Sequence, residues 1–187
     1  MDHVIRPVRA DEWRKAKELR LAGLADPAAP VAFLETTEEA NAHPDIFWQE
    51  RTAGVAADSP STGGRQFVAE GPDGTWAGAV VVLVEQAGNV DFFGVDIEAT
   101  QGHVVGVFVR PEFRGIGLTE RLFEAALEWA WSLEEPRLER VRLYVHHQNE
   151  RAEGFYRKFG FVRTGKTAPA PGGAPNAHEV EMEFLRP

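Results

Sequence analysis

The run from His103 to Leu133 constrains this chain more than any other part of it. His103–Val109 is apolar and largely β-branched, and reads as a buried strand that ends at Arg110-Pro111. A short polar turn follows, and Gly115-Ile116-Gly117 opens a long amphipathic helix, predicted over Gly115–Leu133. Leu118, Leu122, Ala125, Ala126, Trp129 and Ala130 form its apolar stripe. The first turn of a helix leaves about four backbone N–H groups unpaired at the positive end of the macrodipole. Glycines at 115 and 117 remove side chains that would hold a diphosphate away from those amides, and Thr119 adds a hydroxyl. The same residues also suit a glycine turn that merely starts a helix.

Two other phosphate motifs fail here. A P-loop needs a Lys-Ser/Thr pair after its glycines, and none follows Gly117. A dinucleotide fingerprint needs a third small residue three positions on, where this chain has the anionic Glu120.

Strands are predicted at His3–Val8, Gln66–Ala69 and Trp76–Gln86, the last two joined by the turn Gly71-Pro72-Asp73-Gly74. Asn89–Phe93 continues the second or starts another, and Val141–Val145 forms a further strand. Asp11 is a plausible N-cap for a helix to about Ala25, with Trp13, Ala16, Leu19 and Leu24 near one face. Pro44 suits the first turn of a helix carrying Ile46, Phe47 and Trp48. Gly54–Gly64 reads as a mobile loop. Phe161–Lys166 and Glu179–Leu185 form a closing hairpin around the irregular loop Thr167–His178. Antiparallel strands, then a β-α-β unit, then a helix and strands imply a mixed sheet with helices on its faces.

The helix at Asn149–Phe159 supplies a second signature, Asn149-x-x-Ala152…Phe155-Tyr156-x-x-x-Gly160-Phe161. Asn149 is a natural N-cap and Gly160 a helix stop. With Arg114, Gly117 and Thr119 in the first segment, this run resembles the GNAT superfamily of N-acetyltransferases over roughly residues 100–165. Thr119 departs from the family's usual Gly or Ala. The resemblance implies the GNAT fold, in the α/β (α+β) class, for residues 1–187 as a single domain. Its sheet is mixed, mostly antiparallel, six- to seven-stranded, flanked by helices and splayed at a central parallel pair.

It also implies acetyl-CoA as co-substrate. Val107, Phe108 and Val109 would lie along the pantetheine arm, and Arg114, Gly115, Ile116, Gly117, Leu118 and Thr119 would hold the pyrophosphate. Asn149 would bond the arm or its neighbouring backbone. The Val109 N–H would meet the developing oxyanion, and Tyr156 would protonate the leaving thiolate. An ordinary buried tyrosine is the competing reading for that residue. The implied reaction is direct attack of a primary amine on the acetyl group. A non-catalytic acyl-CoA-binding or sensing module on the same fold is the alternative.

An alkyl ammonium with a pKa near 10.4 leaves roughly one molecule in 2,500 neutral at pH 7, so a proton acceptor is needed. Family spacing lands on His103, and strand alternation puts 103, 105, 107 and 109 on one face. Asp91, Asp96 and Glu98 compete for the role. His146 and His147, on opposite faces of their strand, make a poor metal chelate, so no metal is expected. One of them could touch substrate. Phe47, Trp48, Phe92 and Phe93 are pocket or core residues.

With no cysteine there is no disulfide, thiolate metal site or cysteine nucleophile. A net charge of −9 disfavours nucleic acid and suits a cationic amine, on a small molecule or a peptide. No apolar run approaches the roughly 20 residues of a membrane span. Met1-Asp2-His3-Val4 lacks a secretory pattern, so a cytoplasmic location is expected. Homodimers are common in the family. Ala22–Thr52 and Thr167–His178, the segments expected to choose the acceptor, carry no legible motif.

Overall fold

The computed structural model describes residues 2–170 and 175–187. Seven strands form one sheet: β1 (Val4–Pro7), β2 (Gly64–Glu70), β3 (Trp76–Glu85), β4 (Gln101–Val109), β5 (Arg140–His146), β6 (Val162–Pro169) and β7 (His178–Leu185). Their order is β1-β2-β3-β4-β5-β7-β6. Among the described residues β4 and β5 make the one parallel pair, and their register covers only Gly102↔Val141 and His103↔Arg142. Beyond His103 the two strands part.

The helices are α1 (Trp13–Leu24), α2 (Ala29–Ala32), α3 (Thr37–Ala42), α4 (Asp45–Ala53), α5 (Leu118–Ser132) and α6 (Glu150–Phe159). On one face of the sheet α5 buries Leu118, Leu122, Phe123, Leu127 and Ala130 against Val80, Val82, Val104, Val109 and Val141. Each large apolar side chain buried there contributes about 1.5–3 kcal/mol. On the other face α1 sets Leu19 against Val68, Trp76, Ala79 and Phe108, and Trp13, Leu24 and Trp48 lock α1 to α4.

Several sequence expectations change. The α1 entry is a 3-10 turn, Ala10–Glu12, and Asp11 is no cap; the Arg9 amide donates to Glu12 Oε2 instead. Gly54–Gly64 is tied to the sheet: the Ala57 amide donates to Val8 and the Val84 amide to Gly63, and Ala56 is fully buried. Asn89–Phe93 is no strand but part of a loop closed by a single bridge, Val90↔Asp96. The strands flanking Thr167–His178 run further into it than their composition suggested, to Pro169 and from His178. Pro169 fits because β6 is the sheet edge, where a missing N–H costs no ladder bond. Residues 171–174 of that loop lie outside the described residues. Helix α2 went unread because Pro27 and Pro30 read as breakers, and short α3 despite its Thr36–Glu39 capping box.

Candidate active site

The site begins with a defect in β4. β3 pairs Ala79 with Phe108 but Val81 with Val105, so β4 carries one extra residue between them. Gly106, at φ +62°, absorbs it as a bulge. The bulge overturns simple alternation. His103, Val105 and Phe108 share the α1 face, while Val104 and Val109 face α5.

Because β5 has already left, the β4 backbone beyond His103 has no strand partner on that side. An unpaired strand edge is a template for an extended ligand arm. Val105, Gly106, Val107, Phe108 and Val109 line a cleft of about 960 Å³ there.

The glycine segment closes one end. Gly117 is the N-cap of α5 at φ +82°, and the helix starts at Leu118, three residues later than expected. A Cβ on Gly115 or Gly117 would meet nothing within 4 Å, so packing does not demand glycine there. The demand is a left-handed backbone and an unobstructed approach to the first-turn amides. Gly115, Gly117, Leu118, Thr119 and Arg114 line the cleft; Ile116 does not, and its side chain is exposed. The Arg114 guanidinium donates to Val109 O at 2.9 Å and to Asp26 at 2.5 Å, tying the glycine turn to the segment after α1.

From the other side α6 presents Arg151, Ala152, Phe155, Tyr156, Lys158 and Phe159 to the cleft. Asn149 caps α6 by accepting from the Ala152 amide, and its Nδ2 donates to Val31 O in α2. Tyr156 is buried against Phe123 and Phe161, and its hydroxyl has no protein partner among the described residues. Burial pushes its phenol pKa well above the ordinary value, so the proton stays on oxygen.

The opposite end is ionic. Arg142, 2% exposed, donates to Glu85, Asp91, Glu181 and the Tyr144 hydroxyl at 2.8–2.9 Å. Burial works against its charge, but Glu181 and Glu85 outweigh burial and raise its pKa. Burial pushes the Tyr144 phenol up to about 12. Burial would raise Glu85, but His103, Gln101 and Arg142 hold it below the usual carboxylate range.

His103 sits in this network, with Nδ1 2.7 Å from Glu85 and Phe92 stacked on its ring at 5.1 Å. It lines the cleft, and Nε2 is the nitrogen left without a protein partner among the described residues. Asp91 is consumed by Arg142 and by the Phe93 and Val95 amides; Asp96 and Glu98 are exposed and do not line the cleft. His146 lines it, while His147 turns away and stacks on His178 at 4.5 Å. Phe92 and Phe93 are wall residues. Phe47 and Trp48 belong to an adjoining chamber of about 370 Å³ under α1 and α4.

Sequence reading missed Arg20, Glu35, Arg51, Arg151, Lys158 and Glu179. Of these only Arg151 and Lys158 left a signal: with Phe155 they repeat at helical spacing on α6.

A mixed sheet that parts at its parallel pair, beside a glycine-capped helix, defines the GNAT fold. Residues 29–161 match the model of the acetyltransferase (GNAT) family, and the chain belongs to that family. It is similar to the peptidyl-lysine N-acetyltransferase YjaB of Escherichia coli, 37% identical over 73 residues that make up 39% of this chain and 44% of that protein. The chain spans about half the length of the curated relatives it matches. The solved phosphinothricin acetyltransferase of Sinorhizobium meliloti in complex with AcCoA superposes with a TM-score of 0.70 at 16% identity, over 99% of this chain and 89% of that one. The ribosomal-protein-S5-alanine acetyltransferase of Vibrio fischeri gives 0.70 at 16%, over 99% and 93%. At such identities the likeness speaks to the fold. Among the described residues no helix is long and apolar enough to cross a membrane.

Proposed function

We propose that this chain moves an acetyl group from acetyl-CoA to a primary amine by direct attack. The observation that carries the reading is the buried Tyr156 phenol, its hydroxyl without a protein partner among the described residues, lining a cleft between a bare helix N-terminus and an unpaired strand edge. The residues present fit the co-substrate. First-turn amides of α5 stand open where a diphosphate would lie, Arg151 and Lys158 add positive charge, and β4 offers backbone to the pantetheine arm. Acetyl-CoA supplies the activated acetyl thioester.

The chain's own groups handle protons. His103 takes one at Nε2 from the incoming ammonium, and Glu85 beside Nδ1 fixes the ring and offsets the charge. Without such a group, neutralising the amine costs about 4.6 kcal/mol at pH 7. Tyr156 gives its proton to the departing sulfur and is restored by the second proton that the nitrogen sheds as it becomes an amide. The test is a thiol-release assay with acetyl-CoA, longer acyl-CoAs and a broad amine panel. Release that depends on amine supports transfer; tight acetyl-CoA binding with no amine turned over overturns it in favour of a sensor.

A further inference from the structure

Resting on that reading, we propose that Glu179 is the acceptor-recognition residue, and that the acceptor carries a second positive charge besides the amine that reacts. Register sets three glutamates of β7 against β5: His146 opposes Glu179, Tyr144 opposes Glu181, and Arg142 opposes Glu183. Two of the three are committed. Glu181 accepts from Arg142 and Arg140, and Glu183 from Arg140. Glu179 is 7% exposed, lines the cleft, and has neither a hydrogen bond nor an ion pair through its carboxyl among the described residues.

A carboxyl withdrawn from water normally neutralises or finds a cation. Burial accordingly raises the pKa of Glu179, with His178 opposing weakly. The groups near it give it no fixed counter-charge. His146 faces it from β5, held below its usual pKa by burial and by the charges of His147 and His178, and Ala168 opposes it on β6. The missing cation therefore comes with the ligand.

It is not the reacting nitrogen. That nitrogen ends as an uncharged amide, which would strand Glu179 again, and its proton has a receiver at His103. A charge that persists through turnover is the one a fixed carboxylate can hold. The far wall steers the same way: Arg20 is paired with Glu35, while Arg51 has no acidic partner among the described residues and repels a cation. The class that fits is a short diamine or polyamine.

The experiment compares n-butylamine, 1,4-diaminobutane and spermidine as acceptors for wild type and Glu179→Gln, with Glu179→Asp as a conservative control and thermal melts to verify folding. The expected result is a wild-type kcat/KM at least about tenfold higher for the diamine than for the monoamine. Glu179→Gln erases that advantage through KM, with kcat within about twofold, and Glu179→Asp restores part of it. An unchanged diamine KM in Glu179→Gln overturns the proposal. So does an equal kcat loss for both amines, which makes Glu179 a base. If wild type turns over none of the three, acetyl transfer to these amines fails, and calorimetry of 1,4-diaminobutane on the CoA-loaded protein decides Glu179 alone. Binding that weakens about tenfold in Glu179→Gln supports it; equal binding, or none to wild type, sinks it.

Discussion

The two ends of the cleft are built from different materials. At the α5 end the working surface is backbone: amides at a helix start, cleared by Gly115 and Gly117, with no side chain packed where their Cβ atoms would go. At the β5–β7 end it is side chains, with Arg142, Glu85, Asp91 and Glu181 interlocked and nearly sealed. The first is open and cheap to build; the second must desolvate several charges at once. The division suits the proposed chemistry, in which one end would hold the donor and the other the acceptor. Backbone amides read phosphate whatever the surrounding sequence, whereas a side-chain wall can be rewritten.

Removing the hub of the ionic wall should break the contrast most sharply. Arg142→Ala leaves three carboxylates without their shared cation, and the expected loss is about 3–5 kcal/mol by urea unfolding. A loss under about 1 kcal/mol would show that water or local shifts replace Arg142, and that this wall is as tolerant as the glycine end. Next in size is Tyr156→Phe, which keeps the ring packed on Phe123 but removes the acid. CoA release should fall at least about tenfold while acetyl-CoA binding by calorimetry holds. Equal rates would return Tyr156 to a purely structural role.

Gly117→Asp probes the opposite wall. It places an anion where phosphate is expected and a Cβ on a left-handed residue. CoA affinity should weaken by about tenfold or more, with Gly117→Ala reporting the backbone strain alone. Unchanged affinity in the aspartate variant would remove the phosphate role from this turn.

The same contrast explains what could be read from sequence. The glycine end is contiguous, so strand, turn, glycines and helix stripe appear in order, and the structure assembles them as one unit. The α6 signature was equally local. The ionic wall draws Glu85 from β3, Asp91 from a loop, Arg142 and Tyr144 from β5 and Glu181 from β7. Nothing in the spacing of those residues joins them; only strand order β3-β4-β5-β7 does. Asp91 illustrates the cost. Its acidity and its place near the right strand suggest a base, but the Phe93 and Val95 amides of its own loop occupy one carboxylate oxygen and Arg142, distant in sequence, takes the other. The bulge was hidden for another reason. Gly106 is one glycine inside a good strand pattern, and its extra residue shows only against β3.

The smallest expected effect falls at His103, where the ionic wall borders the cleft. It belongs to the ionic wall through Glu85 yet lines the cleft. If it takes the amine's proton, replacing its ring nitrogen should change how the rate depends on pH. His103→Gln fills similar volume and offers an amide to Glu85 but cannot accept that proton. The remaining activity should then follow the acceptor's own deprotonation, so the ratio of rates at about pH 9 to pH 7 grows. His103→Ala should behave alike if the network tolerates the space. A profile of unchanged shape with a uniformly lower rate would make His103 a strut for Glu85 and Arg142, and the amine's proton would then leave by another route.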